Sequence, residues 1–536
     1  MSIYKFMNRK VVLLVAGAIL FSAFKVSAQN DELNRLVTKY GQLLFYINNY
    51  YLDSLNNEKL TDEAIRKVLM QLDPHSSYIT SKDVKAMNEP LEGNFEGVGI
   101  EFSIVKDTLT VSNPISGGPS ERVGIRSGDK IVAVNGEDIA SKGITNDKVF
   151  KYLRGAKGTK VNLTVVRRGE NDKLIFEVVR DKIPINSVDA AYEAAPGVVY
   201  IKLSRFASNS SQEIINSIME MNVGVIKVFI LDLRGNSGGF LGTALEISNF
   251  FLDAGQTIVY TEGMRIPQMT ERARGTGFYK KGPLVVIVDE NSASASEIVA
   301  GAVQDWDRGV IIGRRSFGKG LVQQMLPLND GSQLRLTVAR YHTPSGRVIQ
   351  SPYEAGSTDK YYKAFIDRYE RGESFSKDSI HFPDSLKYKT LLKGRTVYGG
   401  GGIMPDIFIP VDTSYYSNYY ANLLRKSILS DFMNDYSDRN REQLKLKYTS
   451  FEVFNSEYVV DKAMTESLID FAGKRGLIYN EEEFKRSSNE ISTVMKALVA
   501  RTIFGTNGYF KVVNNSYDLV YRRALEVVTK EAISNL

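Results

Sequence analysis

Four short runs of aliphatic and β-branched residues govern what this chain can fold into. They are Val198 to Leu203, Val228 to Leu233, Leu284 to Val288 and Val310 to Ile312. Helical stretches separate them at Ser210 to Met221, Gly242 to Phe251 and Ser296 to Trp306. Runs this short and this apolar read as strands buried on both faces. Burial on both faces requires cover above and below the sheet, so residues 181–412 are expected to form an α/β core. Within it, residues 351–395 are polar and rich in Tyr, Lys and Asp, and read as an insertion.

The other segments have different textures. Residues 88–180 change to short strands and glycine turns, and a domain is expected over 86–180. Residues 30–85 read as helical, with Leu33, Leu36, Val37, Tyr40, Leu43 and Leu44 at three- and four-residue steps. A second amphipathic run spans Thr61 to Leu72, with Thr61-Asp62-Glu63 as its cap. A small helical domain over 29–85, serving packing or dimerisation, is the expectation. From 413 to 536 the chain is helical and amphipathic without a nameable motif. At 536 residues the chain is too long for one core. Its 43% hydrophobic and 24% charged residues are those of a soluble globular protein.

Residues 1–28 read as a signal peptide. Lys5, Arg9 and Lys10 precede an apolar run from Val11 to Phe24, and Val26-Ser27-Ala28 offers small residues before a cut ahead of Gln29. An uncleaved membrane anchor is the alternative. The destination is outside the cytoplasmic membrane, most simply the periplasm. Four positive charges (Lys5, Arg9, Lys10 and Lys25) fall in this segment, which has no acidic residue. The formal charge of +6 therefore falls to +2 over the rest, and no basic stripe points to nucleic acid. The chain has no cysteine, so no disulfide framework holds it.

Two loops carry residues suited to nucleophilic chemistry. Ser294 is the central serine of SASASE (Ser292 to Glu297), at a strand-to-helix turn where free N–H groups and the helix dipole favour negative charge. The same serines would also serve as simple helix caps. Lys319 lies in SFGKG (Ser316 to Gly320), where Phe317 and flanking glycines allow tight burial. A lysine must be desolvated to act as a base near neutral pH. An exposed turn lysine is the ordinary alternative. None of the three histidines, His75, His342 and His381, lies near these loops in sequence, so lysine is the candidate base for the serine. Gln323, four residues after Lys319, is placed to orient the ammonium or the serine, or else is a surface glutamine. The turn Asp232-Leu233-Arg234-Gly235-Asn236-Ser237-Gly238-Gly239 can offer backbone donors to an oxyanion. Taken alone it also suits a phosphate-binding loop or a structural turn. His342 reads as a packed histidine. No spacing of His, Asp and Glu suggests a metal site.

The run GVGI (Gly97, Val98, Gly99, Ile100), with GDKIVAVNG (Gly128 to Gly136) and a following helix, resembles a PDZ domain of the circularly permuted kind found in bacterial proteases. There, free N–H groups of the glycine turn would meet a terminal carboxylate and the adjoining strand would pair with the peptide. DLRGNSGG, NSASASEIVAGAVQD, GRRSFGKGLVQ and ARYHTPSGRVIQ lie downstream. In this order and spacing they closely resemble the C-terminal processing peptidases (tail-specific proteases). The resemblance covers roughly residues 73–410. It implies a serine endopeptidase with a ClpP/crotonase-like core, an inserted PDZ domain that senses substrate C-termini, and no cofactor.

Carried over by position, the resemblance makes Ser294 the nucleophile, Lys319 the general base and Gln323 the residue that positions it. Oxyanion donors would be the N–H of Ala295 and of the Gly238/Gly239 turn. Arg154, just after the PDZ helix, is a candidate contact between PDZ and protease. The implied partner is a polypeptide held by its C-terminal carboxylate, with an adaptor protein and a homo-oligomer, such as a dimer, as further expectations. The competing reading is a peptide-binding scaffold or chaperone on the same fold, and a more distant one is a non-peptide acyl hydrolase. Ser316 and Ser237 stand where the family commonly has threonine and proline; neither change removes a catalytic group.

Overall fold

The computed structural model describes residues 31–115 and 117–529; the signal-peptide segment 1–28 lies outside them. The chain divides into two compact units, one ending at Gln71 and one beginning at Leu72.

The described part of the first unit is a pair of helices, over residues 31–50 and Asn57–Met70. The second starts a turn before the expected Thr61, because the Asn56 side chain accepts the Lys59 N–H (2.9 Å) and satisfies an orphan donor of the first turn. Leu33, Val37, Tyr40 and Leu43 are exposed along the first helix.

In the second unit a six-stranded sheet runs in the order Val188–Ala195, Val198–Leu203, Val228–Asp232, Leu284–Val288, Val310–Gly313 and Ile407–Phe408. It is parallel from the second strand onward. Alternation splits its side chains between two cores. Val199, Leu231, Val286 and Ile311 pack against helices Ser210–Met221, Leu241–Asn249 and Ala295–Asp305. Tyr200, Ile230, Ile287 and Ile312 pack on the other face against the last helix, Leu519–Thr529. Both faces are covered, which is why the strands read as continuous apolar runs. Their ends at Asp232, Val288 and Gly313 deliver the DLRGNSGG turn and the loops of Ser294 and Lys319.

A second sheet joins Ser77–Ile79, Gln333–His342, Thr257–Glu262 and Met269–Arg272, with Leu321–Pro327 paired to Gln333–His342. The strand Ser77–Ile79 departs from the helical reading of residues 30–85. Three residues are too few to show a period, and their partner lies far along the chain. A third sheet, with Ile100–Val105 at its edge, and helix Asn146–Leu153 enclose a separate apolar core. The C-terminal region is helical and has its own core around Leu423, Met433, Phe454 and Met495. Among the described residues no helix is long and apolar enough to cross a membrane.

Candidate active site

Ser294 sits at the N-cap of helix Ala295–Asp305 with φ 55° and ψ −111°, a backbone conformation uncommon for a residue with a side chain. Such strain persists only where surroundings over-determine it, and here they do. Ser292 Oγ donates to Leu233 O (2.8 Å) and Ser296 Oγ to Asn236 O (2.8 Å), so the flanking serines are tied to the DLRGN turn. The Ser294 N–H donates to Glu297 Oε2 (2.8 Å). Of the three serines, Ser294 is the one that borders a cavity of about 950 Å³, shared with Lys319, Gln323, His75 and Ala295.

Glu297 holds the two loops together. Its fully buried carboxylate accepts the N–H of Ser294, the hydroxyl of Ser316 (2.5 Å) and the N–H groups of Gly318 (2.7 Å) and Lys319 (2.9 Å). Burial pushes its pKa up to about 7 despite these four donors. Tyr341 adds a second tie: its hydroxyl donates to Ser294 O (3.2 Å) and to Lys319 O.

The Lys319 ammonium donates to Gln323 Oε1 (3.1 Å), and Gln323 Nε2 donates to His75 O (2.5 Å). Gln323 is therefore a fixed bridge rather than a surface residue. Burial, and next the like charge of Arg335, hold the lysine below its ordinary pKa, with Glu297 and Asp73 pulling partly the other way. The insertion closes this loop from outside. Arg368 of helix Thr358–Glu370 donates to the carbonyls of Arg315, Ser316 and Phe317, and Phe317 packs on Phe365.

The turn after Asp232 lies against the serine. A Cβ on Gly238 (φ 104°) would fall 2.8 Å from Ser294 Cβ and 3.0 Å from Ala295 N. The Gly238 N–H is already engaged, donating to Asn236 Oδ1 (2.9 Å). Of the two glycines considered as oxyanion donors, Gly239 is thus left with an uncommitted N–H, beside that of Ala295. Asn236 itself is buried and also binds Leu203 O and Ala293 N–H. Arg234 pairs with Asp232 and, at the head of the last helix, with Asp518 (2.7 Å).

The remaining sequence candidates lie elsewhere. Gly97, Val98, Gly99 and Ile100 link strand Asn94–Gly97 to the edge strand Ile100–Val105. Arg154 pairs with Glu89 of helix Ser81–Glu92 and stacks over Phe95 and Phe150. Neighbours of Glu89 on that helix, Asn88 and Glu92, border the cavity that Ser294 and Lys319 share. His342 stacks on Tyr260, away from it. His75, unremarkable in sequence, does line it; burial and the nearby lysine depress its pKa to about 4. A serine followed three residues later by glutamate is a capping pattern that could have singled out Glu297. Nothing local could have singled out His75, Arg368 or Asp518.

Comparison with known proteins bears on this geometry. A family model described as peptidase family S41 matches residues 197–355, a PDZ domain model matches 110–167, and a family of unknown function matches 419–505. The carboxy-terminal-processing protease of Bartonella bacilliformis is 36% identical over 64% of this chain and 81% of its own length. The chain belongs to peptidase family S41. It is a serine-type peptidase of the carboxy-terminal-processing group and contains a PDZ domain. A probable CtpA-like serine protease of Staphylococcus epidermidis is 34% identical over 88% of this chain and 89% of that one. Among solved structures, the photosystem II D1 C-terminal processing protease is 27% identical, covering 69% of this chain and 86% of that one with a TM-score of 0.34.

Proposed function

We propose that this S41 peptidase is an exported endopeptidase that uses Ser294 as nucleophile and Lys319 as general base, on polypeptides selected by their C-terminal tails. The observation that carries this reading is the desolvated Lys319 ammonium, held by Gln323 in the cavity that Ser294 borders. Neutral Lys319 takes the Ser294 proton as Oγ attacks the peptide carbonyl. The N–H groups of Ala295 and Gly239 take the oxyanion. Lys319 returns the proton to the leaving amine, and water then hydrolyses the acyl-enzyme. Gln323, pinned by His75, fixes the ammonium.

Tail selection falls to the PDZ domain. Its strand Ile100–Val105 lies at a sheet edge, free to pair with a peptide, and Gly97 to Ile100 lead into it. Arg154 links the adjoining PDZ helix to Glu89, and is the residue we assign to coupling PDZ and protease. The basic and apolar start of the sequence supports export to the periplasm. The exposed apolar residues of helix 31–50 support a homo-oligomer.

The test is digestion of an unstructured polypeptide with an apolar C-terminus, free or amidated, by the wild type, Ser294→Ala and Lys319→Ala. Cleavage lost in both variants and weakened by amidation is expected. Cleavage that survives Ser294→Ala overturns the nucleophile. Binding without turnover by the wild type supports the scaffold reading instead.

A further inference from the structure

The hairpin of Leu321–Pro327 and Gln333–His342 presents one row of cross-strand pairs: Gln323 with Thr337, Met325 with Arg335, and Pro327 with Gln333. Partners in such pairs project to the same side of the sheet. Gln323 works on Lys319. The next residues outward, Met325, Arg335 and Gln333, line the same cavity and take no part in the chemistry above.

Arg335 stands out in its charge state. It is half-buried, burial depresses its pKa, and no carboxylate among the described residues compensates. The other inward-facing arginines are compensated: Arg347 pairs with Asp305, Arg368 and Arg315 with Glu373, and Arg234 with Asp232, while Arg180 and Arg308 donate to backbone carbonyls. The nearby acids are committed or apart. Asp73 accepts from Ser76 and Thr337, Glu297 from four donors, and Glu92 borders the cavity without forming an ion pair. The charge beside Arg335 is instead the like charge of Lys319. Two more polar atoms in this wall are buried without partners: Gln333 Oε1, which can only accept, as from a substrate backbone N–H, and His75 Nε2. A cation drawn out of water with no counter-ion is costly, and that cost is recovered if a ligand supplies the charge.

We propose that Arg335, with the Gln333 amide beside it, is a substrate subsite for a carboxylate. Arg335 lies two residues along the strand from Thr337, the cross-strand partner of Gln323. That offset is about 7 Å, or about two residues of an extended substrate. The carboxylate is an acidic side chain close to the scissile bond, or the terminal carboxylate where the cut falls that near the chain end. The proposal rests on the reading of Ser294 and Lys319 as the catalytic pair.

The experiment measures kcat/KM for peptides carrying Asp or Asn, and Glu or Gln, at each position flanking the cut, with free or amidated termini. Wild type, Arg335→Gln and Arg335→Lys are compared by the acid-to-amide ratio within each enzyme, so a general loss of activity cancels. At one position the wild type should favour the acid about tenfold, a ratio that falls near unity in Arg335→Gln and partly returns in Arg335→Lys. A preference that responds to amidation rather than to side-chain exchange identifies the terminal carboxylate. Wild-type cleavage with no acid preference at any position, or a preference unchanged by Arg335→Gln, overturns the proposal. If the wild type cleaves nothing, the catalytic reading fails separately. Peptide binding to Ser294→Ala with and without Arg335→Gln then decides the subsite: equal affinity for acid and amide peptides in both sinks it.

Discussion

Asp518, at the head of the last helix, meets Arg234 at 2.7 Å and so ties the C-terminal region to the turn that carries Gly238 and Gly239. The same carboxylate accepts the Tyr521 N–H (3.0 Å) and caps its helix. Arg234 is held on its other side by Asp232, whose buried hydroxyl partner is Tyr200. Asp518→Asn should cost about 2 kcal/mol of stability, the scale of a hydrogen bond to a charged group, read as a lower denaturant midpoint. If the turn is an oxyanion site, kcat should fall more than KM changes. An unaltered kcat at unaltered stability would show that the turn needs no such brace.

Gly238 has no room for a side chain. Gly238→Ala puts a methyl group against Ser294 and Ala295 N, at a φ that disfavours any Cβ. We expect a loss of kcat of about 100-fold or more, the scale of a lost oxyanion donor, with peptide binding to the PDZ domain intact.

Glu297 gives a pH signature in stability. Its folded pKa of about 7 lies above its ordinary 4.5. A raised carboxyl pKa means that the contribution of Glu297 to stability is full below 4.5 and is lost as pH rises through 7. Glu297→Gln does not titrate. The Tm of the wild type relative to this variant should therefore fall between pH 5 and pH 8. Activity of Glu297→Gln should drop at every pH, because an amide cannot accept all four donors.

The proposed base imposes a second pH dependence. Lys319 must be neutral to take a proton, so the rate should rise with pH through its depressed pKa. Arg335→Gln removes a neighbouring positive charge, raises that pKa and should move the acid limb of the pH–rate profile to higher pH. His75, with a pKa of about 4, stays neutral and should add no inflection between pH 6 and 8. An acid limb that stays in place in Arg335→Gln would show that the limb belongs to another group.

The parts of this protein legible in its sequence are those dictated by local physics. The runs Val198–Leu203 and Leu284–Val288 were recognisable as strands because burial on both faces leaves them almost wholly apolar, with Lys202 their one charged residue. Ser294 and Lys319 could be singled out as candidates because strand ends and glycine turns leave a local imprint. Glu297 was present in the quoted motif, yet its four donors come from two loops and could not be read from either. The strand Ser77–Ile79, the backbone carbonyl of His75 and the reach of Arg368 depend on contacts between remote segments. Backbone carbonyls, moreover, have no residue code. That the Gly238 N–H is spent on Asn236 while that of Gly239 is not is likewise a matter of geometry with no imprint in the sequence.

The bridge from Lys319 through Gln323 ends on a carbonyl 248 residues nearer the N-terminus. The lysine loop is further clasped by Arg368, and the turn beside the serine by Asp518, almost at the other end of the chain. A nascent chain holds these pieces apart, so Ser294 and Lys319 are brought together only when folding is nearly complete. A copy that is still unfolded therefore carries no assembled site of its own.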